Sequence, residues 1–281
     1  MPRIALGLAY DGRLFHGWQT QPHGQTVQDK LETALASVSG EAQVATICAG
    51  RTDAGVHATG QVVHFDTASR RPLTAWTRGV NAHLPDGCAV QWACEVDDAF
   101  HARFGASYRR YQYWVYRAPH AHPLVHTAAW VFQPLDVGAM QQAMPALLGE
   151  HDFTSFRAAQ CQAATPIRSL TRFELSEAGP FLCFTLQANA FLHHMARNLV
   201  GTLLEVGMGN KSSAWPAEVL AAQDRRLAAK TAPACGLTLV EVGYDAKYAL
   251  PASVNPRWLA DARVSESVPS ADAASSLSQT P

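Results

Sequence analysis

One short loop of the sequence carries residue types that could do chemistry. Residues 49–61 read AGRTDAGVHATGQ, in which small and turn-forming residues surround one pair of opposite charges, Arg51 and Asp53. A single ionised carboxylate on a loop can serve as a nucleophile, a general base or a metal ligand. We expect the arginine to keep the carboxylate ionised, which suits a nucleophile better than a general acid.

The glycines of this loop permit two interpretations. Gly50, Gly55 and Gly60 let the backbone take turns that are closed to other residues, and they let a ligand approach closely. The same composition fits a structural connection between two strands, in which the aspartate hydrogen-bonds to its own backbone. The five residues RTDAG are too few to decide between a functional and a structural loop.

Strands and helices alternate around the loop in the first half of the chain. Residues 3–10 place large apolar side chains at every second position and predict a strand, and Thr26 and Asp29 predict a capping pair at the start of a helix. The stretches VATICA and QVVHFD predict strands on either side of the loop. A helix that starts at a proline, over residues 72–84, and a strand over residues 88–96 follow.

A similar order of elements follows a predicted hinge at residues 104–107. YQYWVY is typical of a strand, Asp136 predicts a helix start, and SLTRFEL and FLCFTLQA predict a hairpin. Residues 191–207 predict a long amphipathic helix, with apolar residues at successive i+4 positions and Gly207 as its terminator. LTLVEVGY predicts the last strand.

These elements predict an α+β protein with two mixed α/β subdomains, in which helices flank the sheets and a central cleft holds the active site. Residues 1–105 form the predicted N-terminal subdomain, which carries the aspartate loop. Residues 106–248 form the C-terminal subdomain, which completes the cleft. Residues 249–281 are rich in Ser, Ala and Pro with little apolar patterning, which predicts a disordered tail.

Composition limits the class of protein. The chain has 281 residues, of which 48% are hydrophobic and 16% charged, as is typical of a globular protein. No apolar run approaches the roughly 18 residues of a membrane span, and Asp11 comes too early for a secretory signal. We therefore expect a cytoplasmic protein with no membrane partner. The six cysteines form no CxxC pair, which argues against a disulfide framework and a zinc site.

The arginines give mixed evidence about nucleic-acid binding. A formal net charge of −1 argues against it. However, Arg109 and Arg110 lie within the aromatic-rich stretch SYRRYQYWVY, which is typical of an RNA-binding surface, and we expect both to contact phosphates. Another pair, Arg225 and Arg226, is expected to be solvated at the surface.

Five stretches together resemble the tRNA pseudouridine synthase A family. They are YDGRLFHGWQTQ (10–21), CAGRTDAGVHATGQVVHFD (48–66), FHARFGASYRRYQYWVY (100–116), HDFTSFRAAQCQ (151–162) and NAFLHHMARNLVG (189–201). The resemblance runs in order from about Ile4 to Tyr244. It implies the pseudouridine synthase fold. It also implies an enzyme that isomerises uridine at positions 38, 39 and 40 of the tRNA anticodon stem-loop, without a cofactor and as a homodimer.

The resemblance also implies roles for individual residues. Asp53 is the catalytic aspartate and nucleophile, and Arg197 is the arginine that pairs with it. Tyr111 is the active-site tyrosine that stacks on the target base, and Arg51 helps to displace that base from its stack. Contacts with tRNA are implied for Phe100, His101, Ala102, Arg103, Phe104, Cys161 and Gln162.

Two histidines and two alanines need a separate interpretation. His193 and His194 are expected to be packing or RNA-contact residues and not metal ligands, and no metal site is expected. Ala163 and Ala164 stand where relatives often carry a polar and a basic residue. One phosphate contact of the family is therefore expected to be missing.

Alternatives to this function and to one of its residues remain open. A retaining glycosidase also uses a carboxylate nucleophile, but it needs a second carboxyl group about 5 Å away, and the RTDAG loop contains none. A non-catalytic RNA-binding protein would account for arginines interleaved with aromatics. Tyr111 shares one strand face with Tyr113 and Val115, so a core aromatic is the alternative to a base-stacking tyrosine.

Overall fold

The first half of the chain forms four strands and one long helix. The structure is a computed structural model that describes residues 1–252. The helix begins where the sequence predicts: the Thr26 side chain accepts a hydrogen bond from the Asp29 amide, and the Asp29 side chain accepts one from the Thr26 amide. The elements are β1 (Arg3–Tyr10), α1 (Val27–Ser39), β2 (Ile47–Cys48), β3 (His57–Asp66) and β4 (Cys88–Val96).

The helix that the sequence predicts over residues 72–84 is irregular. Its centre is a π-helical segment, Ala75–Gly79, which places Trp76 in the core with 1% of its surface exposed.

The second half supplies the remaining strands and three helices. They are β5 (Tyr108–Arg117), β6 (Ala129–Val131), α2 (Val137–Ala143), β7 (Gly149–Asp152), β8 (Ile167–Ala178), β9 (Phe181–Ala188), α3 (Met195–Gly207), α4 (Trp215–Ala222) and β10 (Leu237–Gly243). The short elements β6, β7 and α4 have no counterpart in the sequence-based prediction. The long helix begins at Met195, four residues later than predicted, because residues 193 and 194 form a turn just before it.

All ten strands of the described residues belong to one sheet. Its order is β4-β1-β3-β10-β5-β9-β8-β7, with β2 paired to β3 and β6 to β5. The last strand, β10, lies parallel to β3 and antiparallel to β5, so it joins the two halves of the chain. The α+β class is confirmed, and the two halves share one continuous sheet. The division at residue 105 stays a prediction.

The sheet separates the main core from two smaller clusters, and strand alternation assigns neighbouring residues of β1 to different cores. Ile4 and Leu6 of β1 belong to the main core, which also contains Leu31 of α1 and Leu199 of α3. Ala5, between them on β1, lies on the other side of the sheet. There it belongs to a smaller cluster with Ala49, Val62, Trp92, Phe100 and Ala102. Burying a leucine fully contributes about 1.5–3 kcal/mol to stability, so the helices are held mainly by this main core.

The end of the described chain packs on the smaller cluster, through Tyr248 and Leu250. The tail predicted over residues 249–281 otherwise lies outside the described residues. Within residues 1–252, none of the helices has the length and apolar character that a membrane crossing requires.

Candidate active site

The loop between β2 and β3 is held by the segment that follows β1. The Trp18 amide donates to the Thr52 carbonyl at 3.0 Å, and the Thr52 hydroxyl lies 2.8 Å from the Tyr10 hydroxyl. A Cβ at Gly12 would meet the Val56 carbonyl oxygen at 2.1 Å, so only glycine allows this close backbone approach. The backbone on both sides of Asp53 is therefore fixed by neighbouring segments.

Asp53 carries a half-buried carboxylate that contacts three side chains. Arg197 donates from Nη1 to Oδ2 at 2.9 Å. The Nε2 atom of His194 lies 3.3 Å from Oδ2, and the Nε2 atom of His193 lies 3.2 Å from Oδ1. The side chain of Asp53 keeps 23% of its surface exposed. The site therefore offers a charge-balanced carboxylate that a ligand can still reach.

Arg197 is placed by the chain segment that leads into β10. Its Nε donates to the Ala232 carbonyl at 2.8 Å, and the Ala232 amide donates back to the Arg197 carbonyl at 3.2 Å. One end of the guanidinium is thus fixed on backbone, which directs the other end to Asp53. The structure brings Arg197 and Asp53 together, as the family resemblance implies.

Arg51 does not pair with Asp53. Its side chain is exposed, and the arginine that binds the carboxylate is Arg197. Within residues 1–252, Arg51 forms no ion pair with a carboxylate. The expected pairing of Arg51 with Asp53 is therefore wrong and is replaced by the Arg197–Asp53 ion pair, and the exposed Arg51 side chain remains available to a ligand.

Tyr111 lies on β5 opposite Leu239 of β10 and Leu186 of β9. Its ring belongs to the main core, is 7% exposed and meets the Phe191 ring edge-on, with centroids 5.0 Å apart. Burial raises the pKa of Tyr111 above its usual value, and the negative charge of Asp53 raises it further. The phenol is therefore protonated at neutral pH. Tyr111 is both a core aromatic and a neighbour of Asp53.

Arg109 is a buried structural residue. All five of its N–H donors meet backbone carbonyl oxygens, with 8% of the residue exposed. The acceptors are the carbonyls of Ala49, Arg103, Ala106 and Asn189, at 2.6–3.2 Å. No donor is left for a phosphate, so the contact we expected for Arg109 is contradicted by the geometry. The residue ties the Asp53 loop to β5 and to the end of β9.

Arg110 lies on the opposite face of β5 from Tyr111, because strand residues alternate. It forms an ion pair with Glu241 and donates to Gln187 Oε1 at 2.7 and 3.0 Å. Its guanidinium also lies over the Tyr108 ring, 5.3 Å from the centroid. These contacts place Arg110 away from the Asp53 site and do not support a phosphate contact there.

The segment FHARF divides into buried and exposed residues. Phe100 and Ala102 are fully buried, which leaves no side-chain surface for tRNA. Phe104 is 77% exposed, with the His101 ring 4.5 Å away and the Arg103 guanidinium 5.5 Å from the ring centroid. An exposed aromatic beside an arginine is a surface on which bases stack. We call His101, Arg103 and Phe104 the aromatic platform.

The second segment implied in tRNA contact is only partly accessible. Cys161 is half-buried and packs against the main core together with Ala163, whereas Gln162 is exposed.

Two features of the site were missed by sequence reasoning. His193 and His194 contact the carboxylate directly and are not merely packing residues. Arg225, expected to be solvated, is partly buried and donates to Asn198 Oδ1 at 3.1 Å and Thr231 Oγ1 at 3.2 Å. The pair of adjacent histidines just before Arg197 was a sequence signal for the first feature. The second had none, because Asn198 and Arg225 are 27 residues apart in the chain.

The cluster has the composition of a metal site. One ligand atom each from Asp53, His193 and His194 lie within 4.8 Å of one another. The positively charged Arg197 guanidinium is bound to the same carboxylate, and its charge repels a metal cation at this position. The absence of a resident metal stays a prediction.

Comparison with known proteins identifies the family. A family model described as tRNA pseudouridine synthase matches residues 8–105 and 143–245. The chain is 59% identical to a tRNA pseudouridine synthase A from Bordetella petrii, over 89% of this chain and 94% of that protein. It is 52% identical to the protein of the same name from Klebsiella pneumoniae, over 92% of this chain and 96% of that protein.

Similarity to solved structures is weaker. A chain from the crystal structure of a Cbf5-Nop10-Gar1 complex aligns with a TM-score of 0.32 and 12% identity, over 72% of this chain and 45% of that chain, which is too low to support any argument. The sequence matches, with Asp53 and Arg197 both inside the matched ranges, are decisive. The chain belongs to the tRNA pseudouridine synthase family.

Proposed function

We propose that this protein isomerises uridine to pseudouridine at positions 38, 39 and 40 in the anticodon stem-loop of tRNAs. The observation that carries the proposal is the Asp53 carboxylate, bound by Arg197 at 2.9 Å and near enough to Tyr111 for its charge to raise the pKa of that phenol. Membership of a tRNA pseudouridine synthase family supports the reaction type. The resemblance of the five sequence motifs to the synthase A family supports the three positions.

The reaction moves one bond and one proton. The N1–C1′ bond of uridine breaks, the base turns, a C5–C1′ bond forms, C5 loses its proton and N1 gains one. No oxidant, reductant or external energy source is needed, so the proposed reaction uses no cofactor. Asp53 can serve this sequence by attacking the ribose, by attacking the base or by removing a ribose proton.

Neighbouring groups give Asp53 the properties of a nucleophile. Arg197 stabilises the ionised carboxylate by a charge-assisted hydrogen bond. A protonated Tyr111 cannot accept a proton at neutral pH, so its proposed part is contact with the base and not deprotonation of C5. Arg51, exposed on the same loop, is proposed to occupy the space of the displaced base.

The aromatic platform is the proposed tRNA contact of the N-terminal half. Stacking of one base on an exposed aromatic contributes about 1–3 kcal/mol to binding. Phe104 presents such a ring, and Arg103 adds a positive charge beside it. Exposed Gln162 is the proposed contact from the second segment. The proposed tRNA contacts are therefore the aromatic platform and Gln162. Phe100, Ala102 and Arg109 are buried and support the fold.

We also propose that the protein is a cytoplasmic homodimer. An exposed apolar group around β6 supports dimerisation, since Leu124, Trp130 and Phe132 are 80%, 44% and 61% exposed. The proposal predicts twice the chain mass in light scattering at micromolar concentration, and a shift to monomer for Phe132→Ser. A wild-type monomer under these conditions would exclude the dimer.

Tritium release from tRNA that carries 5-tritiated uridine tests the catalytic proposal. We expect release by the wild type and at least about 1,000-fold less by Asp53→Asn, because the amide is neither a nucleophile nor a base. The tRNA dissociation constant of the variant should stay within about threefold of wild type. Transcripts with a single uridine at position 38, 39 or 40 assign the positions.

The same assay separates the alternative function. A wild type that binds tRNA and releases no tritium would be a non-catalytic RNA-binding protein. Residual turnover by Asp53→Asn with a large loss of affinity would place Asp53 in binding and would contradict its role as nucleophile.

A further inference from the structure

The turn that precedes α3 places two adjacent histidine rings on one carboxylate. His194 has φ 65° and ψ 0°, the left-handed conformation that residues other than glycine adopt at a cost of about 1 kcal/mol or more. In a continuous helix, adjacent side chains point about 100° apart. Here the His193 and His194 rings lie 4.1 Å apart, and both Nε2 atoms face Asp53. The left-handed turn at His194 therefore brings both histidine rings to the Asp53 carboxylate.

The two carboxylate oxygens of Asp53 have different surroundings. Oδ2 receives Arg197 at 2.9 Å and faces His194 at 3.3 Å, whose side chains are 14% and 29% exposed. Oδ1 faces only His193, at 3.2 Å, whose side chain is 40% exposed. Oδ2 therefore accepts the Arg197 hydrogen bond and has His194 as a second, partly shielded neighbour, whereas Oδ1 has the more exposed His193 as its neighbour.

We infer that His194 and Arg197 fix Asp53 through Oδ2 as positioning residues, and that His193 is a displaceable neighbour of Oδ1, the oxygen that reacts. This inference rests on the proposed function. A nucleophilic oxygen needs a lone pair directed at the substrate, and the oxygen that accepts the Arg197 hydrogen bond has less electron density to offer. When the target nucleotide enters, His193 gives up Oδ1 while the other two side chains keep the carboxylate oriented.

Several charged or titratable groups face His194. They are Asp53 from the β2–β3 loop, His193 and Arg197 beside it, and Arg225 from the turn after α4. Burial lowers the pKa of His194 below its ordinary value, Asp53 opposes this shift, and Arg197 and Arg225, together with His193, add to it.

Asparagine replacements test whether His193 and His194 have different roles at Asp53. Asparagine tolerates the left-handed conformation of residue 194, and its shorter side chain removes the ring nitrogen from the carboxylate. The variants are His193→Asn and His194→Asn. His120→Asn is the control, because His120 is exposed and is not one of the side chains around Asp53. Circular dichroism melting establishes that each variant is folded.

Steady-state tritium release gives the readout. For His194→Asn we expect kcat to fall about 10- to 100-fold with KM within about twofold, because the carboxylate loses one of the side chains that orient it. For His193→Asn we expect a smaller fall of kcat together with a lower KM, because no side chain then competes with substrate for Oδ1. Equal losses of kcat in both variants, or an unchanged or higher KM in His193→Asn, would overturn the inference.

Nitrogen-15 spectra of the histidine side chains separate this inference from the proposed function. Asp53→Asn should shift the Nε2 resonances of His193 and His194 and leave that of His120 in place. If these shifts are absent, the histidines do not contact the carboxylate and the inference fails, whatever the activity. If wild type releases no tritium, the proposed function fails, and Oδ1 has no reaction to serve.

Discussion

At the scale of single residues, three arginines with the same charge have different roles because their surroundings differ. Arg109 is buried and binds only backbone carbonyls. Arg197 divides its guanidinium between the Ala232 carbonyl and the Asp53 carboxylate. Arg103 is exposed beside the Phe104 ring. Burial and partner, and not residue type, decide which of them stabilises the fold, which holds the proposed catalytic carboxylate and which is open to the proposed RNA contact.

Arg109→Ala and Arg103→Ala form a matched pair that tests this assignment. Arg109→Ala leaves four carbonyls without their donor, so we expect the free energy of unfolding to fall by about 3 kcal/mol or more. Arg103→Ala should change it by less than about 0.5 kcal/mol. Instead, Arg103→Ala should reduce the slope of log affinity for tRNA against log salt by about 1. Urea unfolding and salt-dependent binding measure the two effects, and a stable Arg109→Ala with a reduced slope would reverse the assignment.

At the scale of elements, α3 and the segment before β10 act together to position Arg197. Asn198, fully buried, donates to the Phe156 carbonyl at 2.7 Å and accepts from the Thr231 hydroxyl at 2.7 Å. Arg225 donates to the same Asn198 oxygen. The close approach of the two segments also requires Gly201, where a Cβ would meet the Lys230 carbonyl oxygen at 2.3 Å. Moving this segment would move the Ala232 carbonyl that orients Arg197.

Gly201→Ala tests the coupling between these elements. The added methyl group pushes the segment before β10 away from α3, so we expect a loss of about 1–3 kcal/mol in stability together with a fall of about tenfold or more in kcat. Gly138→Ala in α2 is the control, because its nearest neighbour is an Asp136 side-chain oxygen at 3.4 Å. Unfolding and tritium release at a temperature where both variants are folded measure the effects. Unchanged kcat in Gly201→Ala would show that the segment does not orient Arg197.

At the scale of the whole molecule, a continuous sheet makes the two halves one structure. Strand β10 comes from the end of the chain and pairs with β3 and β5, so neither half completes its sheet alone. A buried histidine lies further along β3, where that strand pairs with β1 and β2: His64 is 3% exposed, and its Nδ1 accepts a hydrogen bond from the Ala102 amide at 3.1 Å. Burial, then the charges of Arg3 and His101, lower the pKa of His64 to about 4, against a weaker opposing effect of Asp66.

This lowered pKa predicts an acid-sensitive fold. As the pH falls below 6.5, the unfolded chain protonates residue 64 while the folded protein does not until about pH 4, so stability falls within that window. The expected loss between pH 7 and pH 5 is about 2 kcal/mol. His64→Asn, whose amide oxygen can accept the same hydrogen bond, should flatten the dependence. Urea unfolding at both pH values measures it, and equal slopes for both proteins would contradict the assignment.

Features that depend on near neighbours along the chain could be predicted from the amino-acid order. Strand alternation predicted β1, β3 and β9, and the Thr26–Asp29 pair predicted the start of α1. Motif resemblance identified the family, and the comparisons confirmed it. These features follow from backbone geometry and residue order alone, because their contacts join residues a few positions apart or repeat every two to four residues.

The tertiary structure alone decided which side chains meet across the fold. Asp53 and Arg197 are 144 residues apart, and only the packing of α3 against the β2–β3 loop brings the histidine turn to the carboxylate. Arg109 looked like an RNA contact because its neighbours are aromatic, yet the strand face it occupies turns it into the core. Long-range contacts of this kind depend on the order of strands in the sheet, and that order placed the last strand, β10, at its centre.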